Sequence, residues 1–507
     1  MNRSRSLFIT IMCIVNVFAI KSGAQKVYHE MYRPQVHFSP KEKWTNDPNG
    51  MVYYNGIYHL FFQYYPDSTV WGPMHWGHAT SRDLIHWHQE PIALYPDSLG
   101  YIFSGSAVVD INNTSGLSKK GQVPLVAIFT SHDPAGEKQH RNNYQNQSLA
   151  YSLDQGKTWK KYARNPVLKN PGISDFRDPK VMWYEPGKKW VMTLATKDRI
   201  TFYSSPDLKR WKKESEFGKD AGAHGGVWEC PDLFTLDDHG KKIWVLIVNI
   251  NPGGPNKGSA TQYFIGDFDG NKFTLFSADT RWLDYGPDEY AGITWFNTGN
   301  RKIFLGWMSN WLYANLVPSV VWRNAMTIPR ELELKHVGKD IFVASQPVRE
   351  LSKIQSNPII AENFLVTKNF DLSEKTKKVT LPCRLNLGLE KIADFSLVFS
   401  NDMGEKFVIG YDQKQNQFFT DRTKSGQIDF QKEFAAKHFA PRLTENTKMN
   451  LSIIMDVSSM ELFADDGLTV MTEIFFPNKP FNQINIQTKD SVRFKKIEYA
   501  SLKSIWQ

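Results

Sequence analysis

A unit of two short β-strands recurs five times in the first two thirds of the sequence, and this repeat restricts the possible folds more than any other feature. Each unit opens on a polar residue, continues as an apolar strand, turns at Gly, Asn or Asp, and returns as a second strand. The units begin at Asp47, Ser104, Asp178, Glu229 and Asp288, at intervals of 57, 74, 51 and 59 residues. Repeats of this length with a hydrophobic period of two are typical of β-propellers, so we predict an all-β protein with a five-bladed propeller.

Local turn signals support this prediction. The clearest hairpin joins residues 51–54 and 57–62 through Asn55-Gly56, a pair that supplies the positive φ angles of a two-residue turn. A second signature, Ser-x-Asp followed by Trp, occurs at residues 81–87, 152–159 and 205–211, with a weaker copy at 266–273. We expect each copy to be a polar turn that closes onto an aromatic side chain between neighbouring sheets.

The pattern changes at residue 347. A short helical stretch and a linker are predicted at residues 347–358, and alternating strands without the propeller signature follow from residue 359 to residue 507. About 150 residues of such strands are typical of a β-sandwich. The predicted propeller domain covers residues 25–346, and the β-sandwich domain covers residues 359–507.

Residues 1–24 have the pattern of a secretory signal peptide. Arg3 and Arg5 precede an apolar run of 14 residues, and Gly23-Ala24 offers a cleavage site. This run is too short to cross a bilayer as a helix, which takes about 20 residues. We therefore predict export to the periplasm or out of the cell, with no membrane insertion. Only Cys230 and Cys383 remain after cleavage, and we expect them to be free and buried, with a single bridge between them as the alternative.

Charge and histidine content do not indicate nucleic acid or metal. The chain has 61 basic and 52 acidic residues without a block of five like charges, so we predict no nucleic-acid partner. Four histidines, His75, His78, His86 and His88, could be metal ligands. Their tryptophan neighbours favour packed or edge-lining histidines instead, and we predict no metal site.

If the first strand of each unit lines the propeller axis, the first residues of all five units emerge on one face. A group of carboxylates there suggests a functional site, because clustered charges raise one another's pKa. The alternative is that each acid merely caps a turn. Glycoside hydrolases typically use two carboxyl groups that face one glycosidic bond. Glu229 has apolar sequence neighbours, which favour an acid, and Asp47 follows the polar Asn46, which favours a nucleophile.

Several stretches also resemble a known family. Residues 44–50 (WTNDPNG), 103–106 (FSGS), 176–179 (FRDP) and 228–231 (WECP) are similar, in this order, to the signatures of the invertase and fructanase glycoside hydrolases of family 32. Residues 251–254, 262–266, 285–291 and 456–467 resemble stretches of its inulinase and levanase members. The resemblance covers roughly residues 35 to 500. It implies a propeller with an appended sandwich that hydrolyses β-fructofuranosides with retention.

The resemblance also implies roles for individual residues. Asp47 would be the nucleophile, Glu229 the acid/base, and Asp178 the stabiliser of the transition state together with Arg177. The subsite for the terminal fructose would be lined by Asn46, Gln63, Trp71, Ser104 and Trp311. No metal or organic cofactor is required. The implied substrates are fructan polysaccharides or oligosaccharides such as levan and inulin, with sucrose as a further candidate, and the implied action is the release of fructose from chain ends.

Several alternatives stay open at this point. The same scaffold could carry an endo-levanase or a fructosyltransferase, and a non-catalytic fructan-binding propeller is the alternative from another functional class. Pro73 departs from the family, whose fructanases usually carry Asn there, and proline removes a hydrogen-bond donor and restricts φ. The sandwich domain could bind glycan or brace the propeller, and we expect bracing. The linkage preference and the oligomeric state stay open.

Overall fold

The computed structural model describes residues 28–119, 121–376 and 379–506, so the predicted signal peptide lies outside the described residues. The first two sheets are antiparallel and follow directly from the alternating strands. Blade I consists of β1 (Lys43–Tyr54), β2 (Ile57–Tyr65), β3 (His75–Ser81) and β4 (His88–Leu94). Blade II consists of β5 (Tyr101–Val109), β6 (Leu125–His132), β7 (Gln145–Ser152) and β8 (Lys160–Lys161), with helix α1 (Pro134–Lys138) between β6 and β7.

Three further blades repeat this arrangement. Blade III consists of β9 (Phe176–Tyr184), the 3-10 turn Glu185–Gly187, β10 (Lys189–Thr196), β11 (Ile200–Ser205) and β12 (Lys212–Phe217). Blade IV consists of β13 (Val227–Asp238), β14 (Lys241–Asn251), β15 (Ala260–Phe268), β16 (Phe273–Leu275) and β17 (Arg281–Trp282). After β18 (Tyr290–Thr294) and β19 (Ile303–Met308) come β20 (Trp322–Arg323), β21 (Ala325–Met326), β22 (Arg330–Val337) and β23 (Asp340–Pro347). Blade V contains all of these except β20.

The five blades close into a ring around their first strands. Strand β1 contacts β5, β5 contacts β9, β9 contacts β13, β13 contacts β18, and β18 contacts β1. Strand β20 pairs in parallel with β1 and so joins the end of the propeller to its beginning. The prediction of a five-bladed propeller whose first strands line the axis is confirmed.

The repeated Ser-x-Asp signature forms the predicted turns. In the three stronger copies the tryptophan indole nitrogen donates to a backbone carbonyl inside the turn: Trp87 to Leu84 at 3.1 Å, Trp159 to Gly156 at 3.1 Å, and Trp211 to Leu208 at 3.0 Å. The aspartate of each copy accepts backbone N–H groups of the same turn. Each turn therefore satisfies its own polar groups while the indole packs against the sheet.

The C-terminal part is a β-sandwich, as predicted. The connection to it is the 3-10 helix Arg349–Ile354, whose Leu351 and Ile354 are buried. The sandwich comprises β24 (Ile359–Asp371), α2 (Ser373–Thr376), β25 (Cys383–Leu389), β26 (Phe395–Ser400), β27 (Lys406–Asp412), β28 (Gln417–Lys424), β29 (Lys437–Pro441), β30 (Met449–Met455), β31 (Ser459–Ala464), β32 (Thr469–Ile474) and β33 (Gln483–Ser501). Strand β33 pairs with β26 along its first part and with β25 along its last part, so it is shared by both layers.

Cys230 and Cys383 are free and buried, as expected. Within the described ranges, no helix is both long and apolar enough to cross a membrane.

Candidate active site

A polar cavity of about 250 Å³ lies at one mouth of the propeller, where the inner strands begin. All nine predicted site residues line it: Asn46, Asp47, Gln63, Trp71, Ser104, Arg177, Asp178, Glu229 and Trp311. Its remaining wall consists of residues that were not predicted: Phe103, His132, Glu137, Tyr144, Gln145, Asp175 and Asn251. The ring of inner strands therefore brings together side chains that are far apart in the sequence.

Asp47 lies in an irregular part of β1. The pairing of β1 with β2 shifts between Asn46 and Pro48, which leaves Asp47 without a strand partner. Its Oδ1 accepts a hydrogen bond from the amide of Asn46 at 2.8 Å, and its Oδ2 accepts one from the hydroxyl of Ser104 at 2.7 Å. These two donors fix the orientation of the carboxylate at the cavity floor.

Asp178 is the most buried of the three acids and lies at a bulge of β9. Its backbone has a φ of +62°, and its N–H donates to the Thr130 hydroxyl at 3.0 Å. The Oδ2 atom accepts the backbone N–H of Cys230 at 3.0 Å. Burial raises the pKa of Asp178 to about 7; Arg177 opposes this shift, whereas the charges of Glu229 and Asp47 add to it.

Glu229 is held by two groups from neighbouring blades. Nε and Nη2 of Arg177 donate to Oε1 at 3.1 and 3.0 Å, and the hydroxyl of Tyr290 donates to Oε2. The expectation that apolar sequence neighbours surround this carboxyl is wrong. The indole of Trp228 instead packs in the core between blades III and IV and donates to the Ala223 carbonyl. Successive side chains of a strand point to opposite faces, so sequence neighbours are not spatial neighbours here.

Cys230 lies between two of the carboxylates, a position that the sequence did not reveal. Its Sγ is 3.6 Å from Asp47 Oδ2 and 3.7 Å from Asp178 Oδ2. Burial raises the pKa of this thiol well above its usual value, and the nearby carboxylates raise it further. The thiol therefore stays neutral and acts as a weak donor toward both acids.

Asp288 does not reach the cavity, so the expectation that all five unit starts converge there is wrong. Its carboxylate is fully buried against the sandwich, where it accepts Arg422 Nη1 at 2.6 Å and the Ile474 N–H at 2.9 Å. Tyr290, two residues later in the same unit, contributes to the site instead. The first strand of blade V begins at Tyr290, later in its unit than the other inner strands begin in theirs.

The predicted sugar-facing side chains combine aromatic surface with free donors. Trp71 is 39% exposed, and Trp311 stacks on the buried Trp44 with ring centroids 5.9 Å apart. The side-chain nitrogen of Gln63 is buried and has no hydrogen-bond partner among the described residues. An unpaired buried donor that lines a cavity is suited to a hydroxyl of a bound ligand.

The wall that was not predicted comes largely from blade II. The rings of Phe103 and His132 stack with centroids 4.1 Å apart, and His132 Nε2 lies 3.1 Å from Glu137 Oε2 on α1. Asp175 Oδ1 accepts Arg177 Nη1 at 2.5 Å and so helps to hold the arginine against Glu229. Glu137 and Tyr144 lie in the connection between β6 and β7, and His132 and Gln145 lie at the strand ends that flank it, outside the unit starts that guided the prediction.

Of the four histidines within residues 75–88, His88 is exposed and the other three make separate contacts. His78 stacks on Phe61 with centroids 4.3 Å apart, His75 lies 2.9 Å from the Pro73 carbonyl, and His86 pairs with Asp83. In the described part of the chain, Asp238, His239 and His336 come close enough together to hold an ion. Asp238 lies at the end of β13 opposite to Glu229, so this group belongs to another part of the propeller.

Two family models match this chain, and together they cover most of its length. The family model described as "Glycosyl hydrolases family 32 N-terminal domain" matches residues 37–346, and "Glycosyl hydrolases family 32 C terminal" matches residues 350–501. A levanase of Bacillus subtilis (strain 168) is 44% identical over 98% of this chain and 74% of the relative. The extracellular exo-inulinase inuE of Aspergillus niger is 40% identical over 94% of this chain and 96% of the relative.

A solved structure has a similar fold over almost the whole chain. The crystal structure of exo-inulinase from Aspergillus awamori has a TM-score of 0.88 and 38% identity, and the match covers 94% of this chain and 100% of that chain. The family models, the relatives and the shared fold lead to one conclusion: the chain belongs to glycosyl hydrolase family 32 and is a glycosidase.

Proposed function

We propose that the chain is an exo-acting β-fructofuranosidase that releases fructose from the ends of levan or inulin chains and also hydrolyses sucrose. The observation that carries this proposal is the group of Asp47, Asp178 and Glu229 at the floor of one small polar cavity. The names of the related levanase and exo-inulinase support fructans as substrates. Family membership and the carboxyl pair support hydrolysis of a glycosidic bond.

The proposed mechanism proceeds through a covalent intermediate. Asp47 Oδ1 or Oδ2 attacks the anomeric carbon of the terminal fructosyl unit, while Glu229 donates its proton to the leaving oxygen as the glycosidic bond breaks. Glu229 then takes a proton from a water molecule, which attacks the same carbon and releases Asp47. Two displacements at one carbon give net retention of configuration.

Asp178 and Arg177 bind the fructosyl hydroxyls in this proposal. A charged acceptor beside a charged donor can contact adjacent hydroxyls of one ring and hold it over Asp47. The contact between Arg177 and Glu229 then links sugar binding to the proton donor. The anomeric carbon of a fructosyl unit is fully substituted, so positive charge that develops there is stabilised by its substituents and by the carboxylates below.

The exo action is supported by the size of the cavity. A volume of about 250 Å³ lies below the range of about 300 to 1,000 Å³ that is typical of sites for larger ligands. Such a cavity suits one terminal sugar unit. We also propose that the protein is exported, because residues 1–24 have the pattern of a signal peptide and the related exo-inulinase is named as extracellular.

A timed digestion of levan, inulin and sucrose tests the proposed function. We expect free fructose as the first product of all three, and a fall in kcat of about 10³-fold or more for Asp47→Ala because the nucleophile is lost. Asp267→Ala, at an exposed acid of blade IV, should leave kcat unchanged. Oligosaccharides that appear before fructose would instead indicate an endo-levanase, and fructan that grows in concentrated sucrose would indicate a transferase. Tight binding without turnover would indicate a binding protein.

A further inference from the structure

One row of residues crosses the outer face of the sandwich at right angles to its strands. Strand pairing places these residues directly opposite one another on neighbouring strands: Gln487 on β33, Ser396 on β26, Gly410 on β27, Phe419 on β28 and Phe439 on β29. Residues opposite one another in paired strands point to the same face. We call this set the platform row.

The two phenylalanines of the platform row form a flat apolar surface. A Cβ atom added to Gly410 would lie 2.3 Å from Cζ of Phe419, so the Phe419 ring lies directly over the glycine backbone. Phe439 stands beside it and is 45% exposed. Together they line a cavity of about 480 Å³, which is larger than the catalytic cavity. Flat aromatic rings flush with a sheet can stack on the apolar faces of sugar rings.

Polar and charged groups surround this aromatic surface, and their charges sum to zero. Two aspartates and two lysines line the cavity, namely Asp394, Asp412, Lys437 and Lys489. The Lys489 ammonium lies 3.1 Å from the Asp394 carboxylate. Ser396 and Gln487 also line the cavity and supply a hydroxyl and an amide group. A balanced set of charges with free hydroxyl and amide groups suits a neutral, hydroxyl-rich ligand better than a polyanion.

One residue of the platform row contacts a loop that begins at the catalytic mouth. Asn256 donates to the carbonyl of Phe439 at 2.9 Å and accepts its N–H at 3.2 Å. The loop that carries Asn256 begins after Asn251, which lines the catalytic cavity. The strand that bears Phe439 therefore lies beside a loop that begins at the rim of the propeller site.

We propose that the platform row binds a segment of fructan chain outside the catalytic cavity. This inference rests on the proposed function, because it assigns the additional site to the same polymer. The rings of Phe419 and Phe439 stack on fructofuranose units, while Gln487 and Ser396 hydrogen-bond to their hydroxyls. The polymer is thereby retained near the propeller while its end is hydrolysed.

The test compares a long substrate with a short one in the full-length protein. Sucrose is too short to occupy both sites, so Phe439→Ala should lower kcat/KM on long-chain inulin or levan about fivefold and leave sucrose hydrolysis unchanged. Gln487→Ala should also lower kcat/KM on long-chain inulin or levan. The matched control is Phe276→Ala, a phenylalanine of similar exposure (50%) that follows β16 on blade IV. It should change neither value.

A binding measurement without turnover completes the test. In an Asp47→Ala background, migration through a gel that contains levan or inulin should be retarded, and Phe439→Ala should remove most of this retardation. The proposal is overturned if Phe439→Ala changes neither the hydrolysis of polymer nor the retardation in the gel. It is also overturned if Phe439→Ala lowers kcat/KM equally on polymer and on sucrose. If light scattering shows a dimer that Phe439→Ala dissociates, the face is covered by a second copy and the proposal is wrong. Failure of the proposed function would look different, since free fructose would then not be the first product that the unmodified chain releases from levan, inulin or sucrose.

Discussion

At the scale of single residues, Asp178 shows what the site costs in stability. Its carboxyl is 5% exposed, and burial raises its pKa to about 7, against about 3.9 for an aspartate in an unfolded chain. Between these two values the folded protein holds a proton that the unfolded chain releases, so stability falls as the pH rises from about 4 to about 7. Above pH 7 the folded protein carries the full cost of an ionised, buried group. Such a cost is typical of groups that serve function instead of stability.

We therefore expect Asp178→Asn to stabilise the protein at high pH while it lowers activity. The amide oxygen can still accept the Cys230 N–H, but residue 178 no longer carries a buried charge of its own. At pH 8 the free energy of unfolding should rise by roughly 1 to 4 kcal/mol, and the difference should vanish near pH 4. Urea unfolding at pH 4, 6 and 8 measures this. Asp267→Asn, at an exposed acid, is the control, and its stability relative to the unmodified protein should not change with pH. If Asp178→Asn is less stable than the unmodified protein at pH 8, the expectation is contradicted.

At the scale of elements, the blade turns show how one local motif stabilises several sheets. In blade III, Asp207 Oδ1 accepts the backbone N–H groups of Lys209 and Arg210, each at 3.0 Å, and Leu208 has a φ of +63°. Leu84, at the same point of the blade I turn, has a φ of +66°. The side-chain hydrogen bonds offset the cost of this left-handed backbone, which L-residues rarely adopt.

We expect Asp207→Ala to destabilise the protein without an effect on catalysis. Loss of two hydrogen bonds to a charged acceptor should lower the free energy of unfolding by about 2 kcal/mol at pH 7 and leave kcat unchanged. Burial alone raises the pKa of Asp207, but the backbone donors and Arg210 outweigh burial and lower it. The stabilisation is therefore present above about pH 4 and is lost as the pH falls through the lower folded value. Unfolding curves with Asp267→Ala as control check this; a fall in kcat at unchanged stability would refute it.

At the scale of the whole molecule, buried ion pairs join the propeller to the sandwich. Arg330 of blade V contacts Asp284 at 2.9 Å and Glu461 of the sandwich at 2.6 Å. His37, which precedes blade I, contacts Asp456 at 2.8 Å and Glu461 at 2.9 Å. Removal of one partner from such a network leaves an uncompensated buried charge, which is strongly destabilising. The network favours a sandwich that stabilises the propeller in addition to any role in binding.

His37 predicts how this interface responds to alkaline pH. Burial by itself lowers the pKa of His37, but Asp456 and Glu461 outweigh burial and raise it to about 9. The stabilisation is complete below the unfolded value of about 6.5 and is lost as the pH rises through 9. His37→Gln should therefore lower the free energy of unfolding by about 3 kcal/mol at pH 6 and flatten the pH dependence up to pH 10. Thermal unfolding measures this, with the exposed His29→Gln as control. An alkaline decline that persists unchanged in His37→Gln would exclude this residue as its cause.

Much of the molecule could be predicted because the relevant signals are local. Alternation of apolar residues, Asn55-Gly56 and the Ser-x-Asp turns encode strands and hairpins within a few residues. The positions of Asp47, Asp178 and Glu229 at equivalent points of three repeats predicted that they would meet, since repeats of one architecture present equivalent positions on one face.

The sequence by itself therefore determined the class of fold, the number of blades and the three acids at the centre of the cavity. Only the tertiary structure decided that Tyr290 reaches Glu229 and that Asp288 instead meets Arg422, 134 residues later. The physical reason is that these contacts depend on how the ring closes and how the sandwich packs against it. Such contacts join segments that are distant in the chain, and no local periodicity or turn signal records which of two nearby residues will face the axis and which will face the second domain.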